Sequence, residues 1–147
     1  MRCRAPRDSH RIERAFSFIA MKLRDKLSVR DLIYNKYEGH CAYCGCEITK
    51  DNFHVDHIDA RFRGSTDKEL ATYDRARGLN NIENYNPSCI SCNSSKSTLT
   101  IENWRKEIEL KVRRINRDVS GFRLLKRFGL VVETGIPVKF HFEKHQL

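Results

Sequence analysis

An α+β fold, with helices gathered around a short hairpin and locked by metal-binding turns, is what this sequence predicts, and three observations predict it. Two C-x-x-C pairs, Cys41 with Cys44 and Cys89 with Cys92, stand far apart in the chain. Between them the run "FHVDHIDAR", Phe53 to Arg61, reads as a β-prone segment crowded with ionisable groups. On either side, apolar residues recur at three- and four-residue steps, the stripe of amphipathic helices. The 147 residues fit a single domain, and 39% hydrophobic content suffices for one modest core.

The elements follow in order. Ile12, Phe16, Ile19, Ala20 and Leu23 form a helical stripe between Ser9 and Lys26. Ser28 offers an N-cap to a second helix carrying Val29, Leu32, Ile33 and Tyr37, and Gly39 stands where a terminal glycine ends it. "CEIT" and "FHVDHI" are β-prone runs separated by "KDN", which predicts a hairpin turning near Asp51 and Asn52. From Asp59 to Asn84 the chain is polar, with Gly64, Ser65, Gly78 and arginines at 61, 63, 75 and 77; a loop with one short helix over 68–76 is expected. Thr100 caps a long helix with Ile101, Trp104, Ile108, Val112 and Ile115 on one side. A short helix near 121–128 precedes "LVVET", a turn at Gly135 to Pro137, and "VKFHFE", whose alternation predicts a C-terminal hairpin. One domain over 1–147 results: a core over about 29–100, a helical N-terminal extension over 1–28 and a C-terminal extension over 101–147.

Charge narrows the function classes. Lys and Arg number 28 against 19 Asp and Glu, and a net +9 draws the chain toward polyanions, nucleic acid above all; the plain alternative is a solvated basic surface. No apolar run approaches the ~20 residues that span a bilayer, and the opening "MRCRAPRDSHR" lacks a secretory signal's apolar block, so a cytoplasmic protein is expected. In a reducing compartment six cysteines point to metal ligation before disulfides. A two-residue spacer lets a tight turn aim both thiolates at one ion at about 2.3 Å. Structural Zn²⁺ held by Cys41, Cys44, Cys89 and Cys92 is therefore predicted, with Cys3 and Cys46 as bystanders. The gap between the knuckles exceeds the about 15–20 residues of the simplest zinc modules, so something sizeable is inserted.

Taken in order, "CAYC", "HVDHI", "NIENYNPSC" and "CISCNSSK" resemble the HNH endonucleases of the zinc-stabilised ββα-metal (His-Me finger) type. The likeness covers 29–96, about half of the chain. It implies that Asp56 and Asn93 hold a catalytic divalent ion, Mg²⁺ or Mn²⁺, that His57 is the general base, and that Asn84 bonds backbone near the histidine and orients its ring. Many members have a final histidine where this chain has Asn93; an amide oxygen still serves a hard cation. Lys96 matches a basic residue that follows the second knuckle and is expected, with Arg61 and Arg63, to meet phosphates. The implied activity is hydrolysis of DNA phosphodiesters, leaving 5′-phosphate and 3′-hydroxyl ends, in a phage or bacterial setting.

The residues fit the chemistry, which needs an activated water, a charge clamp and help for the leaving oxygen. Because a regular strand aims successive side chains to opposite faces, Asp56 and His57 can share a phosphate only if the strand breaks at Asp56. The competing reading is a catalytically inactive, zinc-stabilised nucleic-acid-binding module, for which the full set Asp56, His57, Asn84 and Asn93 would have no use. The two extensions leave DNA contact, homodimerisation or another partner open.

Overall fold

The computed structural model describes residues 28–144. The predicted first helix and Cys3 lie outside them. Helix α1, Val29–Asn35, begins where its capping box dictates: Ser28 accepts from the Asp31 amide while the Asp31 carboxylate reaches back to the Ser28 amide. Gly39, at φ +74°, lets the chain leave the helix; a β-carbon there would stand 2.8 Å from the Tyr34 hydroxyl.

Strand β1, His54–His57, pairs antiparallel with β2, Tyr85–Ser88, in the register His54 to Ser88 and His57 to Tyr85. The hairpin expected within 47–58 is thus corrected. Its turn exists, with the Phe53 amide donating to Thr49 O at 3.2 Å, but the preceding residues fold back on the first knuckle instead. Cys41 N donates to Cys46 O at 2.8 Å, Ile48 N to Gly39 O at 2.9 Å, and His40 bridges Glu47. That leaves the edge of β1 to a segment beyond the insertion. In β2, Pro87 has no amide to give, yet its carbonyl accepts from Ala42 N at 2.9 Å, so the knuckle extends the sheet by one bond.

The insertion is ordered by one arginine. Arg77 donates to the carbonyls of Arg61 (2.8 Å), Phe62 (2.9 Å) and Ser65, and its Nε to Asp67 (3.2 Å). Helix α2, Asp67–Thr72, carries its own capping box between Thr66 and Glu69. A 3₁₀ turn over Ile82–Asn84 leads into β2, and helix α3, Ile90–Lys96, follows with Cys89 as its N-cap. β1, β2 and α3 form the ββα unit of an α+β fold.

Helix α4, Ile101–Asp118, is capped by Thr100 as predicted, and α5, Ser120–Arg127, follows it. The C-terminal hairpin does not form: residues 131–140 carry no strand, and the chain ends its described course in a 3₁₀ turn, His141–Lys144. The alternation was read correctly but its partner was not. Val138, Phe140 and Phe142 face the core, while Phe142 N donates to Ala42 O (2.8 Å) and His141 N to Tyr43 O (2.9 Å). Backbone bonds that a second strand would have supplied come from the first knuckle. Arg105 pins this segment to α4 through Glu143 and a cation–π contact, 4.6 Å from the Phe140 ring centre.

The core joins Ile33, Tyr43, Ile48, Phe53, Trp104 and Phe140. Tyr43 meets Trp104 edge-on at 5.0 Å between ring centres, and Trp104 stacks on Phe140 at 5.0 Å. The middle of the first knuckle is therefore part of the core.

Candidate metal centre and active site

The two knuckles meet. The sulfurs of Cys41, Cys44, Cys46 and Cys89 lie within 4.8 Å of one another, a spacing that a single soft divalent ion could bridge. Cys46, expected to be a bystander, belongs to this group. Cys92 lies at its inner side, hydrogen-bonded to Cys41 and close to Cys89. That bond holds the Cys41 thiol well below the usual thiol range, so a thiolate, the ligating form, is favoured there. Five thiols thus gather at this corner, four of them close enough together to hold one ion. Cys46 was not legible as a member because C-x-C spacing looks less apt than C-x-x-C; the bond from Cys41 N to Cys46 O is what folds it inward.

Asp56 is 6% exposed, and its Oδ2 receives two donors, the Tyr43 hydroxyl and Lys96 Nζ at 3.0 Å. Burial, then the adjacent carboxylate, raises the Tyr43 phenol far above its ordinary range and keeps it a donor. Lys96 is fully buried and gives a second bond to His57 O at 2.7 Å. The phosphate contact expected of Lys96 is therefore corrected: its ammonium is enclosed and spent on β1. Cys89, Cys92, Asn93 and Lys96 fall at i, i+3, i+4 and i+7, so one face of α3 serves thiols at one end and Asp56 at the other. Asn93, half-buried, stands between them.

The break expected at Asp56 is absent. β1 runs through His57 and bends at Ile58 and Asp59, so the pleat sends Asp56 inward toward Lys96 and His57 to the other side. His57 Nε2 lies 3.2 Å from Asn80 Oδ1, which also accepts from the Tyr85 hydroxyl at 2.6 Å, and the His57 ring meets Tyr85 edge-on at 4.9 Å. Asn84 is 8% exposed and fully engaged: Nδ2 donates to Leu79 O (2.7 Å) and Asp59 O (3.0 Å), and Oδ1 accepts from Asp59 N (2.8 Å). Its own carbonyl accepts from Ile58 N at 2.9 Å. The bend just after His57 is thus stapled to the loop before β2. Gly78 permits it, since a β-carbon there would sit 1.9 Å from Asp59 O and 2.9 Å from Asn84 Nδ2.

Sequence reasoning missed Tyr43, Asn80 and Tyr85. Tyr85 could have been found once β2 was recognised as the partner of β1; Asn80 carries no sequence signal that separates it from Asn81. Among the predicted phosphate contacts, Arg63 is exposed, while Arg61 is half-buried with Nε lacking a hydrogen-bond partner. Arg61, Arg75, Arg77 and Asn80 line a groove of about 610 Å³ that reaches the residue bonded to His57. Among the described residues, no helix is long and apolar enough to cross a membrane.

No family model matches the chain. A Bacillus subtilis (strain 168) protein provisionally named an SPbeta prophage-derived HNH endonuclease, YoqL, is 28% identical to it over 116 residues. That alignment takes in 69% of this chain and 40% of the relative, so the chain spans less than half the length of the curated protein it matches. Among solved structures, the Type II-C Cas9 enzyme from Actinomyces naeslundii superposes with a TM-score of 0.43 at 20% identity, over 69% of this chain and 10% of that one.

Proposed function

We propose that this chain, a relative of the HNH endonucleases, is itself a metal-dependent endonuclease that hydrolyses DNA phosphodiester bonds. The observation that carries the reading is the Asn84 staple. A buried asparagine saturated by backbone on both sides of the bend after His57 fixes the chain beside that ring, rigidity that a reactive group needs and a binding module does not.

In this reading His57 takes a proton from the attacking water as its oxygen bonds to phosphorus, and the 3′ oxygen departs with the bonding pair. The products carry 5′-phosphate and 3′-hydroxyl ends. Asp56 and Asn93 would hold Mg²⁺ or Mn²⁺; Tyr43 and Lys96 occupy Oδ2 of Asp56, which leaves Oδ1 for such a role. When bound, such an ion stabilises charge on the phosphate oxygens and the leaving oxygen.

Cys41, Cys44 and Cys89, with Cys92 or Cys46 as the fourth ligand, would hold structural Zn²⁺. Arg61 and Arg63 contact the backbone of the DNA, and the +9 charge supplies salt-sensitive affinity. Cytoplasmic action in a bacterium or a phage-infected cell fits this substrate.

The test is cleavage of supercoiled plasmid across divalent ions with mapping of the ends. Nicking or linearisation that requires Mg²⁺ or Mn²⁺, and that His57→Ala abolishes while zinc content and fold persist, is expected. Undiminished cutting by His57→Ala overturns the assignment of the base. Tight DNA binding with no turnover in any ion overturns the enzyme in favour of the binding module.

A further inference from the structure

We infer that Asn80 and Tyr85 are positioning residues that fix the tautomer and the orientation of His57, so that Nδ1 is the nitrogen that accepts the proton. The inference rests on the nuclease reading for its consequence but on geometry for its content. Asn80 Oδ1 faces His57 Nε2 at 3.2 Å and the Tyr85 hydroxyl at 2.6 Å. An amide oxygen only accepts, so both neighbours must donate: the phenol gives its proton, and Nε2 must carry one. In a neutral imidazole the other nitrogen is then the bare acceptor. Were the Asn80 amide turned round, its NH₂ would face Nε2 and make Nδ1 the protonated nitrogen. The 2.6 Å approach of the phenol favours the oxygen, since it lies in the O–H···O range and is shorter than an ordinary N–H···O bond.

Orientation follows from the same contacts. Tyr85 is the cross-strand partner of His57, and its ring stands edge-on at 89° to the imidazole. The ring is thus gripped at Nε2 by Asn80 and along its face or edge by Tyr85. This grip is compatible with turnover. When water's O–H bond breaks, its proton goes to Nδ1 and its oxygen to phosphorus; the imidazolium then bears hydrogen on both nitrogens. Asn80 Oδ1 continues to accept from Nε2 and stabilises that cation, whereas a donor at Nε2 would oppose it.

Two measurements test this. Long-range ¹⁵N–¹H correlation spectra of the zinc-loaded protein, free of DNA and divalent ion and at a pH where an ordinary imidazole is neutral, read the His57 tautomer directly. The Nε2–H form is expected in the wild type and in Asn80→Asp, which keeps an acceptor and has no donor; Asn80→Leu should show a mixture. Plasmid cleavage supplies the second readout. Asn80→Leu should lose on the order of 10- to 100-fold in kcat with KM little changed, within what general acid–base catalysis contributes, while Asn80→Asp stays within about fivefold. An Nδ1–H tautomer in the wild type, a full-rate Asn80→Leu, or an Asn80→Asp as slow as the leucine variant overturns the inference. If the wild type cuts no DNA in any ion, the nuclease reading fails, and the tautomer spectra still decide the role assigned to Asn80.

Discussion

The two ends of α3 solve opposite problems. At its start, thiols from both knuckles meet at a corner where Cys44 and Cys46 are exposed and Cys89 is half-exposed. At its end, Lys96 is sealed under β1 with every charge answered: Asp56 takes the ammonium, and Tyr43 shares the carboxylate. The backbone of the thiol corner is knit by bonds such as Cys41 N to Cys46 O and Ala42 N to Pro87 O, while its four clustered sulfurs stand where one ion could join them. In the Asp56–Lys96 lattice, one oxygen of the carboxylate is answered from within the protein. One end of the helix thus offers a place for a metal ion, and the other rests on the integrity of a few side chains.

The comparison can be broken hardest at the thiols. Chelation of zinc, or Cys41→Ser, is expected to abolish the cooperative unfolding transition, because structural zinc sites contribute on the order of 10 kcal/mol of apparent binding free energy to folding. Thermal melts with and without chelator, alongside metal analysis of the purified protein, check this; a protein that melts unchanged after losing its zinc refutes it. Next comes Lys96→Ala, which leaves Asp56 buried without its counter-ion and should cost about 3–5 kcal/mol in denaturant unfolding. A loss under about 1 kcal/mol would mean that the pair is far more hydrated than its burial indicates.

Smaller effects sharpen the contrast. Asn84→Ala strands two carbonyls and the Asp59 amide at the bend, and a loss of about 2–3 kcal/mol is expected together with faster amide exchange at Ile58 and Asp59. Unchanged exchange at those two amides would detach Asn84 from the bend.

The smallest effect belongs to the surface. The hydrogen bond from Lys50, then that from Ser28, pulls the Asp31 carboxyl from an ordinary 3.8 to about 2. A depressed acid stabilises the fold above its unfolded pKa and ceases to do so as pH falls through its folded one. The contribution is thus present above about pH 4 and lost toward pH 2. Asp31 lies at the surface, its side chain 29% exposed, and its partner Lys50 is exposed, so the effect should be slight and fade with salt. Unfolding curves of Asp31→Asn and wild type, converging at acid pH and at high salt, are the check.

Legibility in the sequence followed the range of the interactions. Caps at Ser28 and Thr100 and the stripe through Trp104 were readable because a helix is specified by residues three and four apart. The C-x-x-C spacing announced that Cys41, Cys44 and Cys89 would come together, because thiols able to share one ion must bring their flanks close. The pairing of β1 was misread because alternation names the faces of a strand and not its partner. Lys96 was misread for a related reason: a lysine just after a knuckle looks free to meet a phosphate until the strand that covers it is known.

The sequence alone determined the capped helices α1 and α4, the thiol-rich knuckles and the identity of the groups able to do chemistry, since each is written in short-range spacing and side-chain type. Only the tertiary structure decided that Cys46 joins the thiols, that Tyr43 links the core to Asp56, that Lys96 is a buried counter-ion, and that Asn80 and Tyr85 hold His57. Each of these is a contact between residues that the chain keeps apart, made when the knuckles close and β2 docks on β1. Burial then changes what a charged or polar side chain can do.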